Sequence, residues 1–446
     1  MYNYLIYNAL KEHTKADKSF HMPGHKARGD FKTKFTVAPL DVTELSYTDN
    51  LLCPSGIIAG AERDLAEIVG AKRGYILTDG CSSGVLSIIF AVRKLGTKII
   101  VPRNSHQSVW NACKLFGLEP VVVQGDYKDG VLLPPAPELI EKLLDNDRTI
   151  SGLVVTSPDY YGNVAPLKEY SGILKRHNRY LLVDGAHGAH LAFEQSERQY
   201  AGLYADLWAE SAHKTLPALT QGAAVFANEE NLIPELEEGL SIFRTTSPSF
   251  PVMASVEYGY KYLKNNLKIL EEAKAAVQSF KEKCPFEVYQ SEDWAKLAVD
   301  CEPFGVSADA VAEILEKKGV YAELSDGKYI LFYLSPMNTA ADLNKLLSAL
   351  TAVKSNKKLK KSFVKMPVLP AAERTYSFQY ALRQKHALVP LSAAAGMMSA
   401  QNAGVAPPCT PVIVAGEIIS DEAVKILTKA KNVFGLENGK IRVVAK

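Results

Sequence analysis

Short β-branched runs alternate with helical patterns through the first half of this chain. The runs are 74–78, 98–102, 120–124, 152–156, 180–184, 205–210 and 223–227, and helical stretches at 83–95, 108–116 and 167–176 lie among them. This alternation predicts an α/β large domain with a mainly parallel seven-stranded sheet and helices on both faces. Sheets of that kind place ligands at the carboxyl ends of their strands. Ser157, Asp184 and Ser211 all fall at such ends.

A longer helical pattern, from 252 to about 283, leaves the large domain. Runs at 297–300, 320–323 and 329–334 then alternate with helices and predict a smaller α/β unit. The lysine-rich stretch Lys354-Ser355-Asn356-Lys357-Lys358-Leu359-Lys360-Lys361 reads as a solvated linker, because like charges repel and keep such a run exposed. The expected organisation is an N-terminal arm (1–40), a large domain (41–285), a small α/β domain (286–353) and a C-terminal domain (354–446). No internal repeat is visible.

Composition narrows the class. The chain has 446 residues, enough for two or three domains with a large core, and is 47% hydrophobic and 22% charged. A formal charge of +2 gives no argument for nucleic acid or a membrane surface. The six cysteines are scattered without close pairs, which fits neither a disulfide framework nor a zinc site. A reducing, cytoplasmic setting is therefore expected. The first residues lack the basic region and long apolar core of a signal peptide, and no apolar run has the length of a membrane span.

The candidate chemistry begins at Tyr180-Leu181-Leu182-Val183-Asp184, with a lysine thirty residues after the aspartate in Ser211-Ala212-His213-Lys214-Thr215-Leu216-Pro217. A strand-end aspartate with a lysine in a small, polar loop suits pyridoxal phosphate. The amine holds the cofactor covalently, and the carboxylate keeps the pyridine nitrogen protonated so that the ring accepts electrons. The plainer readings are a surface lysine and an aspartate that caps the next helix. Thr78-Asp79-Gly80-Cys81-Ser82-Ser83-Gly84 follows a strand and opens a helix, where backbone N–H groups attract phosphate; an N-cap without a ligand explains it equally well. In Arg103-Asn104-Ser105-His106-Gln107-Ser108 a histidine can lie over a flat ring, oriented by Arg103 or Ser105, although a lone histidine at a helix start is more often structural. Asp184-Gly185-Ala186-His187-Gly188-Ala189-His190 has no further ligand to complete a metal site, so no metal is expected. His21-Met22-Pro23-Gly24-His25-Lys26 is too polar and turn-prone for a core strand, and reads either as an exposed turn or as an arm reaching an active site.

Taken together and in order, these segments, with Asp41-Val42-Thr43-Glu44-Leu45, resemble the bacterial ornithine/lysine/arginine decarboxylase family, of the aspartate aminotransferase fold, in a short form without the N-terminal wing domain. The resemblance implies that Lys214 holds pyridoxal 5'-phosphate, Asp184 pairs with its ring nitrogen and His106 stacks on the ring. It implies further that Ser82, Ser83, Ser211 and His213 surround the phosphate, with Ala186 and His187 near the opposite face. Lys214 and His213 are both candidates for returning a proton to the substrate. The implied reaction is decarboxylation of a basic amino acid; another reaction on the same cofactor (that of an aminotransferase, aldolase or other lyase) and a non-catalytic relative that acts by binding are the alternatives. Glu417, in Ala415-Gly416-Glu417, is expected to receive the substrate's distal cation. Thr246, in Thr245-Thr246-Ser247-Pro248, resembles the segment that crosses to a partner's site, so a homodimer or larger homo-oligomer with shared sites is implied. The chain departs from the family pattern at Gly185, at Gly396-Met397-Met398-Ser399-Ala400 and at Ala406-Pro407-Pro408-Cys409-Thr410-Pro411.

Overall fold

The computed structural model describes residues 2–13, 19–194, 199–355, 376–406, 409–430 and 432–445. Most of the lysine-rich run, and Pro407-Pro408, lie outside the described residues. Seven strands form the main sheet: β1 (Arg73–Leu77), β2 (Lys98–Pro102), β3 (Glu119–Val123), β4 (Ile150–Thr156), β5 (Tyr180–Asp184), β6 (Leu207–Glu210) and β7 (Ala223–Ala227). Their order is β1-β7-β6-β5-β4-β2-β3. β2 pairs in parallel with β3 and β4, and β5 with β6, whereas β7 runs antiparallel to both β1 and β6. The expected mainly parallel sheet is therefore present. Continuous apolar runs such as Leu181-Leu182-Val183, each fully buried, are what strands covered on both faces require.

The described chain separates into two compact units. One comprises Met1–Ala91, Leu182–Ser279 and Leu334–Leu343; the other comprises Val92–Leu181, Phe280–Tyr333 and Asn344–Lys446.

In the first unit, the helix Cys81–Ala91 is buried along nearly its whole length. Gly84 explains its close seating. A Cβ there would lie 2.7 Å from Val225 Cγ2 and 2.9 Å from Leu77 Cδ1, so only a glycine lets the helix approach β1 and β7 this closely. The long helical pattern after 250 is two helices, Phe250–Asn265 and Leu267–Lys283, rather than one. The break is at Asn266, whose side-chain amide donates back to the Tyr262 carbonyl and whose backbone leaves the helical region. That side chain competes with the backbone for helical partners.

The second unit carries two smaller layers besides its share of strands. A four-stranded antiparallel sheet is built from Glu287–Val288, Lys296–Asp300, Tyr329–Tyr333 and Leu324–Ser325. The strand expected at 320–323 is displaced to 324–325. Gly319 closes the preceding helix at a φ of +70°, and the Val320 N–H is spent on the Leu315 carbonyl, so the chain is still finishing a helix there. In the C-terminal region, paired strands His386–Pro390 and Lys440–Val444, a three-stranded sheet and the helix Asp421–Lys429 enclose a core that includes Leu391, Ile413, Ile419, Leu427 and Ile441.

Candidate active site

Two clusters collect the residues singled out in the sequence, one in each unit. The first is centred on Lys214. β5 ends at Asp184, which pairs in register with Ala209 of β6. β6 ends at Glu210, and the chain turns through Ser211 into the short helix Ala212–Thr215 that carries Lys214. Parallel pairing thus brings the carboxylate and the amine to the same end of neighbouring strands. Asp184 is only 2% exposed, and its Oδ1 accepts the Ala186 N–H at 3.2 Å. Lys214 Nζ lies 3.3 Å from His187 Nε2, so the histidine of the Asp184–His187 segment meets the lysine directly.

The turn ahead of the helix Cys81–Ala91 joins this cluster. Gly80 adopts a φ of +81°, and its N–H donates to the Gln221 carbonyl at 3.0 Å. The thiol of Cys81 is fully buried and pushed well above its ordinary range, first by burial and then by the negative charge of Asp184, with Lys214 opposing. Asp184, Lys214 and Cys81 therefore share one electrostatic neighbourhood. Ser83 is buried, and its hydroxyl donates to the Gly80 carbonyl at 2.8 Å; Ser82 is exposed. Ser211 is buried beside Cys81. His213 is half-buried, with Nδ1 3.0 Å from the Gly222 carbonyl, and burial lowers its pKa. Thr246 is exposed, while the adjacent Thr245 N–H donates to Asp79 Oδ2 at 3.2 Å.

The residues of this cluster fit pyridoxal phosphate. An amine and a carboxylate stand at neighbouring strand ends, and a helix N-terminus follows the Gly80 turn. The hydroxyls of Thr78 and Thr215 are buried without a hydrogen-bond partner among the described residues. They flank, respectively, the Gly80 turn and Lys214, where a polar ligand would meet them.

Glu210 was not singled out in the sequence. Its carboxyl is buried and pushed up to about 7 by burial, with Tyr260 Oη and Trp208 Nε1 donating to it at 2.7 and 2.9 Å. A charged residue closing the apolar run Leu207-Trp208-Ala209 was the available signal.

The second cluster surrounds His106, the N-cap of the helix Gln107–Phe116. Its Nδ1 accepts the Ser108 N–H at 3.2 Å and lies 2.9 Å from the Ser108 hydroxyl. Arg103, one of the two residues expected to orient the ring, is engaged by other partners. Its guanidinium grips both carboxylate oxygens of Glu417 and donates to the Val412 carbonyl at 2.7 Å. Ser105 instead accepts the Trp110 indole N–H through its carbonyl. Glu417, expected to meet a substrate cation, has Arg103 as its cationic partner here, and also accepts the Val414 N–H at 2.8 Å. The physical reason is burial: a carboxylate in a residue 3% exposed needs a counter-charge.

In the N-terminal segment, His25 Nε2 lies 3.1 Å from Asp41 Oδ2, which joins two of the sequence motifs. Among the described residues no helix is long and apolar enough to cross a membrane.

A family profile described as "Orn/Lys/Arg decarboxylase, major domain" matches residues 5–292. An uncharacterized Bacillus subtilis protein, YaaO, is 30% identical over 99% of this chain and 97% of its own length. An arginine decarboxylase of the same organism is 27% identical over 95% of this chain and 93% of its own length. Among solved structures, the lysine decarboxylase LdcF of Francisella novicida superposes with a TM-score of 0.83 at 20% identity, covering 99% of this chain and 81% of that one.

Proposed function

We propose, from the premise that this chain belongs to the Orn/Lys/Arg decarboxylase family, that it converts a basic amino acid to the corresponding amine and carbon dioxide with pyridoxal phosphate held at Lys214. The observation that carries the reading is the gathering of Asp184, His187, Cys81 and Lys214 at the ends of β5 and β6. Bound there, the cofactor would supply the electron sink that breaking the Cα–carboxylate bond requires. Lys214 Nζ supplies the covalent attachment. The buried Asp184 carboxyl would pair with the ring nitrogen and favour its protonated form. The N–H groups at the start of the helix Cys81–Ala91 receive the phosphate.

The residues also distribute the protons. His213 Nδ1 faces the Gly222 carbonyl and so carries the hydrogen. Burial lowers its pKa, which disfavours the protonated ring and makes His213 the poorer proton donor of the two candidates. Lys214 Nζ remains as the group that returns a proton to Cα, and His187 Nε2, 3.3 Å away, holds that amine in place.

Two relatives named arginine decarboxylase, each 27% identical over 95% of this chain, support assaying arginine first. The test is carbon dioxide and amine release from arginine, lysine and ornithine in parallel, with and without added pyridoxal phosphate. Equal amounts of the two products from at least one substrate are expected. Formation of a 2-oxo acid without carbon dioxide would contradict the reading.

A further inference from the structure

The connection from β2 to the helix Gln107–Phe116 is short, and both of its ends are tied to one stretch far along the chain. At the start, Arg103 donates to the Val412 carbonyl at 2.7 Å and to Glu417 Oε2 at 3.0 Å, while its other terminal nitrogen takes Oε1. At the end, the Gln107 N–H donates to the Cys409 carbonyl at 3.0 Å. Between these anchors the loop is held by its own bonds, Ser105 N–H to the Pro102 carbonyl and Trp110 Nε1 to the Ser105 carbonyl, at 3.0 and 3.1 Å. His106 sits inside the bracket, its Nδ1 fixed by Ser108.

The other side of the bracket is equally constrained. Gly416 has a φ of +88°, and a Cβ there would come within 2.7 Å of the Tyr376 carbonyl oxygen. Its N–H donates to the Ser399 carbonyl, and the Val414 N–H caps the Glu417 carboxylate. The Ala415-Gly416-Glu417 turn thus aims the carboxylate at Arg103.

We infer that Glu417 is a positioning residue: acting through Arg103, and together with the Gln107–Cys409 bond, it holds the loop that presents His106. This rests on the proposed cofactor reading and on the expectation, carried by the family resemblance, that His106 stacks on the ring. The alternative role, contact with the substrate's distal cation, requires Glu417 to leave a guanidinium that cannot lose its charge. The two side chains are 3% and 4% exposed, so the abandoned arginine would stay buried and unpaired.

The test compares full-length wild type with Glu417→Gln, Glu417→Asp and Gln107→Pro. The last variant is chosen because it removes the N–H given to Cys409 and leaves the Arg103–Glu417 pair intact; it also removes the exposed side-chain bond from Gln107 Nε2 to Asn111 Oδ1. Residue 107 is the first of its helix, where proline is favoured, and His106, at φ −62° and ψ 151°, already has the conformation that precedes proline. It therefore keeps the test open should Glu417→Gln fail to fold. Four quantities are read: amide hydrogen exchange at residues 104–108, the pyridoxal phosphate dissociation constant, kcat and KM. Glu417→Gln is expected to speed exchange in the loop, and to weaken cofactor binding and lower kcat each by roughly tenfold, the scale of one charge-assisted hydrogen bond, with KM nearly unchanged. Glu417→Asp recovers part of the loss, and Gln107→Pro moves the same three readouts by roughly threefold, as befits one neutral bond. A raised KM with unchanged loop exchange and unchanged cofactor affinity would overturn the inference and make Glu417 a substrate contact. If wild type bound no pyridoxal phosphate, the cofactor reading would fall, and the exchange comparison would still decide whether Glu417 pins the loop.

Discussion

Around Lys214 the chain draws its partners from adjacent strand ends and tight turns: His187 is 27 residues away and Gly222 is 8 residues beyond. Around His106 it draws them from far away, with Arg103 and Glu417 separated by 314 positions. The first region depends on backbone geometry at neighbouring strand ends, with the Gly80 turn joined to it by the backbone bond to Gln221. The second depends on a buried ion pair that exists only when distant parts of the chain have folded together. The difference teaches which substitutions will be chemically clean and which will disturb the fold. A change at Asp184 or Lys214 alters a functional group on a scaffold that the strands maintain. A change at Arg103 or Glu417 strands a buried charge.

Three substitutions probe the local character of the Lys214 region, beginning with the largest effect. Lys214→Ala should lower decarboxylation by roughly 10^4-fold or more, the scale of removing a covalent catalytic group, with the thermal midpoint nearly unchanged. A large loss of stability in this variant would show that the lysine is part of the scaffold, and the contrast between regions would collapse. Asp184→Asn should cost about a hundredfold in kcat, because each pKa unit lost at the ring nitrogen is about 1.4 kcal/mol. The amide oxygen can still accept the Ala186 N–H, so circular dichroism and the unfolding midpoint should stay near wild type. Retention of near-normal kcat with cofactor bound would refute the assigned role of Asp184. Gly84→Ala should destabilise the protein by about 1–3 kcal/mol, the usual cost of overpacking, since the new methyl meets Val225 and Leu77. Urea unfolding measures it. A neutral result would mean that the helix can shift without consequence for the Gly80 turn.

A smaller effect concerns pH. Burial raises the Glu210 carboxyl to about 7 in the folded protein, above its ordinary 4.5. A carboxyl raised on folding favours the native state at low pH, and that contribution is lost as pH rises from about 4.5 through about 7. In Glu210→Gln this part of the pH dependence disappears. The stability difference between pH 5 and pH 8 should therefore become less unfavourable to high pH, by about 1–3 kcal/mol. Identical pH slopes in the two proteins would show that Glu210 does not titrate in this window.

The same contrast governs what could be read from the sequence. Strands β2, β5 and β7 fall where the apolar runs placed them, because a strand covered on both faces leaves a continuous apolar signature. Asp184 and Lys214 were legible for the same reason: each ends or follows such a run. Arg103–Glu417 was not legible. Each residue lies in a recognisable motif, but a motif shows a turn and a charge, not the residue that the charge will meet across 314 positions. The break at Asn266 escaped because an asparagine in a helical pattern is ordinary until its side chain turns back on the backbone. The misplaced strand at 320–323 escaped because Gly319 extends the helix end by backbone bonds that composition does not display.

The central claim is that the chain holds pyridoxal phosphate at Lys214. Borohydride reduction of the cofactor-loaded protein, followed by proteolysis and mass mapping, tests it most directly. The account predicts a single stable pyridoxyl adduct on the peptide containing Ser211-Ala212-His213-Lys214, absent in Lys214→Ala. An adduct on a different lysine, or none in protein that carries the cofactor, would contradict it.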